Sequence, residues 1–139
     1  MAYDKDLQEK ILTYRVLEAR LDSAIKQREL LLNKIFELEN TLIVIEETEK
    51  SNSETLFSLG SDVFVTGKPT NKEKLIVGIG SNILLEKTYD DGIVIINNRK
   101  DEIEKELKAV QNEIAQLSST IQTLTPEIQS MIDKSNQAG

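Results

Sequence analysis

Counted in sevens from Leu7, the first fifty residues place Leu7, Tyr14, Leu21, Arg28, Ile35 and Leu42 on one row. A second row, offset by three, holds Lys10, Leu17, Ala24, Leu31, Leu38 and Ile45. Ten of these twelve positions are apolar, and the series exceeds five heptads. That repeat predicts a long helix with a coiled-coil seam. Residues 89–139 repeat the pattern. One row reads Ile93, Lys100, Leu107, Ile114, Ile121, Ile128; the other reads Ile96, Ile103, Val110, Leu117, Leu124, Met131. Polar side chains fill the positions between, as a solvated outer face requires. Thr88, with Asp91 three residues on, predicts an N-cap for this second helix. Pro126 predicts a kink or break late in it.

The stretch between the helices is β-branched and punctuated by glycine. Residues 54–88 hold four strand-like runs, "ETLFSL", "DVFVTG", "EKLIVGI" and "NILLEK". Gly60-Ser61 and Gly80-Ser81 separate the members of each pair and predict tight hairpin turns. The polar loop "KPTNK" separates the pairs. The expected architecture is therefore α+β: residues 1–50 a coiled-coil helix, 51–88 two consecutive β-hairpins, and 89–139 a second coiled-coil helix. Two seams of equal length pair most simply with each other as an antiparallel hairpin; the alternative is that each helix pairs with another chain. Matching the rows throughout sets Leu7 against Met131, Tyr14 against Leu124, Leu21 against Leu117, Ile35 against Ile103 and Leu42 against Ile96. In that register Lys10 lies opposite Ile128 and Lys100 opposite Leu38.

The strand region poses an energetic problem. Val63, Phe64 and Val65 are consecutive, as are Leu75, Ile76 and Val77, and again Ile83, Leu84 and Leu85. Successive strand residues point to opposite faces, so neither face is fully wet. Small sheets are marginal alone and leave open edges. Other copies or homologous chains supply the missing cover, and the region reads as an oligomerisation module. Val63, Phe64, Val65, Leu75, Ile76, Val77, Ile79, Ile83, Leu84 and Leu85 are its candidate interface residues, and the expected closed form is a β-barrel shared between subunits.

Composition narrows the chemistry. Of 139 residues, 39% are apolar, 29% are charged and only six are aromatic, a balance that suits solvated helices better than a compact sphere. The net charge of −7 divides as −3 over residues 1–50, −1 over 51–90 and −3 over 91–139, so no basic block offers a nucleic-acid or anionic-membrane surface. Cysteine and histidine are both absent, which excludes disulfides, the usual zinc sites and histidine acid–base catalysis. The charged amino terminus is no signal peptide, and no apolar run approaches a membrane span, so a cytoplasmic protein is expected. "GIGSNI" holds two glycines of a dinucleotide fingerprint but has Ile83 where the third belongs. "GKPT" echoes a phosphate loop, yet Asp62 occupies its first glycine position and Pro69 its hydroxyl position. Glu86, Asp90 and Asp91 read as a solvated helix start rather than a metal cluster. No catalytic, cofactor or metal residues are assigned, and no enzyme is expected.

The order helix, two hairpins, helix, with "LGSDVFVTG" and "VGIGSNILLEKT" between, resembles the α-type subunits of the prefoldin family, particularly archaeal ones. The likeness spans essentially the whole chain, and two hairpins rather than one mark the α type. Gly92 departs from it, standing where the family tends to have alanine and weakening the first helical turn. The resemblance implies a hexamer of two α and four β subunits, so the partners would be β-type subunits and a second α copy. It also implies ATP-independent holding of unfolded client proteins at the coiled-coil tips and their delivery to a group II chaperonin. Independently, a helical hairpin builds its far end from both termini, where fraying exposes seam residues to apolar contact. Tyr3, Leu7, Ile11, Ile128, Met131 and Ile132 are the client-binding candidates there. Tyr14 and Leu124 read as closed seam residues. A structural or adaptor coiled coil that binds one folded partner is the alternative function.

Overall fold

The computed structural model describes residues 4–138. Helix α1 (Lys5–Lys50) is followed by strands β1 (Thr55–Gly60), β2 (Val63–Gly67), β3 (Lys74–Gly80) and β4 (Ile83–Thr88), then by helix α2 (Tyr89–Ala138). Two compact units divide the chain, residues 1–33 with 104–139 and residues 34–103, so the division cuts across both helices.

In the first unit the buried side chains are Leu7, Ala24, Leu31, Val110 and Leu117. All five stand on the heptad rows. Asp4 starts α1: its carboxylate accepts the Leu7 N–H at 2.8 Å, satisfying one of the free donors of the first turn. Sequence inspection had not singled out Asp4. Lys10 pairs with Glu127 at 2.9 Å and Arg20 with Glu113 at 3.6 Å, so the helices pair within the chain. Glu127 adjoins Ile128, the expected neighbour of Lys10, and the register holds at this end.

Pro126 does not break α2, which is helical throughout its length. Proline has no N–H for the Gln122 carbonyl, so one ladder bond is missing. Its neighbour stays in the helix, with the Thr125 hydroxyl donating to the Ile121 carbonyl at 2.8 Å. The ring faces outward from the seam rows, so pairing with α1 is not disturbed and holds the helix through the gap.

The second unit buries Leu38, Val77, Tyr89 and Ile96. Tyr89 extends the Ile96 row by one further heptad. Lys100 pairs with Glu39 at 3.3 Å, beside its expected neighbour Leu38, so the same register applies here. Thr88 caps α2 as expected, its hydroxyl accepting the Asp91 N–H at 3.1 Å. At the other junction the Lys72 ammonium donates to the Ser51 carbonyl at 2.5 Å and to the Asn52 side chain at 3.0 Å. A cation there suits the negative end of α1.

The strands form two separate two-stranded antiparallel sheets, β1–β2 and β3–β4, rather than one four-stranded sheet. Shifted by twenty residues, the two hairpins share one plan. Ser58 pairs with Phe64 and Gly60 with Val63; Gly78 pairs with Leu84 and Gly80 with Ile83. The turns sit one residue later than Gly-Ser spacing suggested. Their central pairs are Ser61-Asp62 and Ser81-Asn82, all at φ between 50° and 61°. These are the φ values of a type I′ turn, whose twist matches the strands, and Asp and Asn tolerate them better than most residues. The glycines serve the adjoining bulges instead, with φ of 99° at Gly60 and 112° at Gly80.

Candidate binding surfaces

Two surfaces emerge, one in each unit. In the first, Ile11, Tyr14, Ile128 and Ile132 line a groove of about 330 Å³ between the terminal stretches of α1 and α2. Arg15, Glu18, Thr125 and Gln129 complete its wall. Ile11 and Ile132 stand one position beyond the seam rows, so pairing of the helices leaves them half-buried rather than sealed. Tyr14 is likewise half-buried and contributes to the groove, although its place in the heptad suggested a closed seam residue. Met131 is also half-buried. Leu7 requires a correction: at 1% exposure it is the most buried side chain, closed within the helix pair and unavailable as an open contact here. The frayed end expected from sequence is shut at this residue because an apolar row position gains more from its partner helix than from water. Tyr3 lies outside the described residues.

In the second unit the strands expose an apolar surface. Val63, Phe64, Val65, Ile76, Ile79, Ile83, Leu84 and Leu85 are all exposed, from 39% at Leu85 to 68% at Ile76. Two other candidates turn inward. Val77 is only 9% exposed, and Leu75 packs toward Gly92, where an added Cβ would stand 2.8 Å from the Leu75 methyl. They pack on their own chain because they share one face of β3, and that face meets α2. The Arg99 guanidinium reinforces the contact by donating to the Gly78 carbonyl. Gly92 thus has a use that its low helix propensity concealed: it lets β3 approach the helix. Sequence reasoning also omitted Leu56, Phe57 and Leu59 of β1, exposed at 65%, 41% and 69%. The available signal was the twenty-residue likeness of "LFSLGSDVFV" to "IVGIGSNILL".

A pair of hairpins with both edges open, apolar on their exposed faces and carried between two paired helices, matches known proteins over most of the chain. A family model described as Prefoldin subunit matches residues 6–134. The chain belongs to the prefoldin family. Prefoldin subunit alpha of Archaeoglobus fulgidus is 30% identical over 132 residues, covering 92% of this chain and 95% of that protein. Prefoldin subunit alpha of Methanococcus maripaludis is 33% identical, covering 80% of this chain and 76% of that protein. Among solved structures, filamentous PFD from Methanocaldococcus jannaschii matches with a TM-score of 0.70 at 22% identity, covering 81% of this chain and 95% of that one. The prefoldin beta subunit from Thermococcus strain KS-1 matches at 0.65 with 17% identity, covering 93% and 94%. The resemblance to archaeal α-type prefoldin subunits therefore holds over most of the chain, and the family is one of non-enzymatic chaperones. Among the described residues no helix is long and apolar enough to cross a membrane.

Proposed function

We propose that this prefoldin chain is an ATP-independent chaperone subunit that holds unfolded proteins and passes them to a group II chaperonin in the cytoplasm. The observation that carries the holding role is the terminal groove. Ile11, Ile128 and Ile132 offer branched apolar side chains that are neither sealed in the seam nor fully exposed to water. A shallow apolar groove selects for hydrophobic surface rather than for one sequence, which is what distinguishes a folded chain from an unfolded one. Its walls come from both helices, so a client segment sits on preformed structure. The exposed strands, residues 55–88, serve assembly with β-type subunits and a second α copy. An adaptor role is not favoured, because relatives of both subunit types share this architecture and the groove has no deep, shaped pocket for a single folded partner.

The test compares complexes made by co-expression with a β-type subunit. The double variant Ile11→Ser, Ile132→Ser removes off-seam apolar surface and leaves every row residue in place. Native mass is expected to match that of the unaltered complex, while suppression of client aggregation falls several-fold, because holding by several arms amplifies each weakened contact. Undiminished protection at equal native mass would move the client site elsewhere, to the inner face of the strand body.

A further inference from the structure

In the first unit, α1 is apolar on a face that the helix pair does not use. Leu12, Val16 and Leu30 are exposed at 64%, 51% and 69%, although Leu7, Ala24 and Leu31 already close the seam. The described part of α2 in this unit exposes no large apolar residue. A helix turns by about 100° per residue, which brings Leu12, Val16, Ala19, Ser23, Lys26 and Leu30 within about 40° of one line along α1, opposite the seam. Ala19 and Ser23, at the middle of that line, are small and exposed. A hollow of about 370 Å³ opens beside them, with Val16 and Gln27 in its wall.

This line is complementary to itself when reversed. About a two-fold axis level with residue 21, an antiparallel second α1 sets Leu12 opposite Leu30, Ala19 opposite Ser23 and Val16 opposite Lys26. The two leucine pairs close the ends. Small residues meet at the centre, where they let the helix axes come closest. The aliphatic stem of Lys26 lies over Val16 with its ammonium in water. Charge fits the same register. Arg15 and Glu29 make no ion pair among the described residues, and each Arg15 comes beside the other copy's Glu29. Near the axis Arg20 and Asp22 would each approach their own counterparts, but both are already neutralised within the chain. Arg20 pairs with Glu113 at 3.6 Å and Asp22 with Lys26 at 3.1 Å.

We infer that this face of α1 pairs with the same face of a second copy, antiparallel about that axis. An isologous contact of this kind closes on itself and leaves no unsatisfied face to propagate. It joins helices rather than strands, and it goes beyond the holding role. The matched ends and the Arg15–Glu29 pairs favour a second copy over a client, since neither feature helps to capture segments of arbitrary sequence. From Leu12 to Leu30 the contact is about 27 Å long. That places it among the small, transient interfaces, so two helix pairs can meet and part again.

The full chain has no cysteine, so engineered thiols report the register directly. Leu12→Cys and Leu30→Cys are prepared separately and mixed under mild oxidation at about 100 µM, a concentration suited to a weak contact. They are expected to give a disulfide-linked heterodimer in at least about fivefold excess over two controls. One is Leu12→Cys alone, whose thiols would stand at opposite ends of the contact. The other is Leu12→Cys mixed with Lys108→Cys, which is exposed on α2. The contact is read by its register, so association through the strands does not imitate it. Adding Ala19→Lys to both chains puts bulk and like charge at the centre, and should lower the yield to that of the controls with helicity unchanged. Equal yields in all three mixtures, or a yield indifferent to Ala19→Lys, would overturn the inference. So would protection of Leu12→Cys from a thiol reagent by reduced, unfolded lysozyme in the absence of the cross-link, because the face would then belong to clients.

Discussion

The two hairpins are near copies in pairing, turn and bulge, yet they differ in what they lean on. In β3–β4, Val77 is buried, Leu75 packs toward Gly92 and Arg99 holds the Gly78 carbonyl. In β1–β2 the equivalent of Val77 is Phe57, which is 41% exposed and has its ring 3.6 Å from where a Cβ on Gly67 would stand. No residue of β1 or β2 is buried. The same local code thus yields one hairpin anchored to its own helix and one that offers nearly all its surface to others. Turn and register come from short-range geometry, while burial is conferred by whichever element lies alongside.

The contrast can be broken most forcefully at its centre. Val77→Asp places a carboxylate where β3 meets α2 and is expected to destabilise the isolated chain by at least about 3 kcal/mol. Phe57→Asp at the equivalent position should cost about 1 kcal/mol or less, because water already reaches that side chain. Denaturant unfolding of the two variants measures the difference, and equal costs would show that the hairpins are anchored alike.

A second comparison tests what the hairpins share. Gly60→Val and Gly80→Val force a β-branched side chain into positive φ at the two bulges, at a cost of about 1–3 kcal/mol each. Neither glycine has a heavy atom within 4 Å of where its Cβ would stand, so strain rather than crowding is the cause. Amide exchange should accelerate in the altered hairpin by similar factors in both variants. A much larger effect at Gly80 would mean that the bulge also serves the helix contact.

The smallest effect is expected at Gly92. Alanine there gains about 1 kcal/mol of helix propensity, but its Cβ would stand 2.8 Å from the Leu75 methyl. The end of a leucine side chain moves cheaply, so the two terms should nearly cancel, leaving stability within about 0.5 kcal/mol. Exchange in β3–β4 should change slightly while β1–β2 stays as it was. A full propensity gain would show that Leu75 does not press on the helix at this point.

Much of the molecule was legible beforehand because its signals are short-range and repetitive. Every buried helical side chain stands on a heptad row or its extension to Tyr89, and Thr88 caps α2 where its hydroxyl was expected to. The candidate surfaces were read less completely. Ile11 and Ile132 could be placed off the seam by counting, and they do line the terminal groove. Leu7 was assigned to an open end that the structure closes. Leu12, Val16 and Leu30 went unnoticed because apolar residues beside a dense seam look like part of it until exposure separates them.

Sequence alone settled the heptads of the helices and the four strand runs grouped as two hairpins, since each depends only on backbone geometry and neighbours a few residues away. Tertiary structure decided which face of each strand is spare. Leu75 and Ile76 are adjacent and chemically alike, yet one packs toward Gly92 and the other stays 68% exposed. Strand alternation guarantees that they part, but not which of them meets the helix. That choice is made by the packing of α2 against β3, where a residue without a side chain leaves room for one leucine.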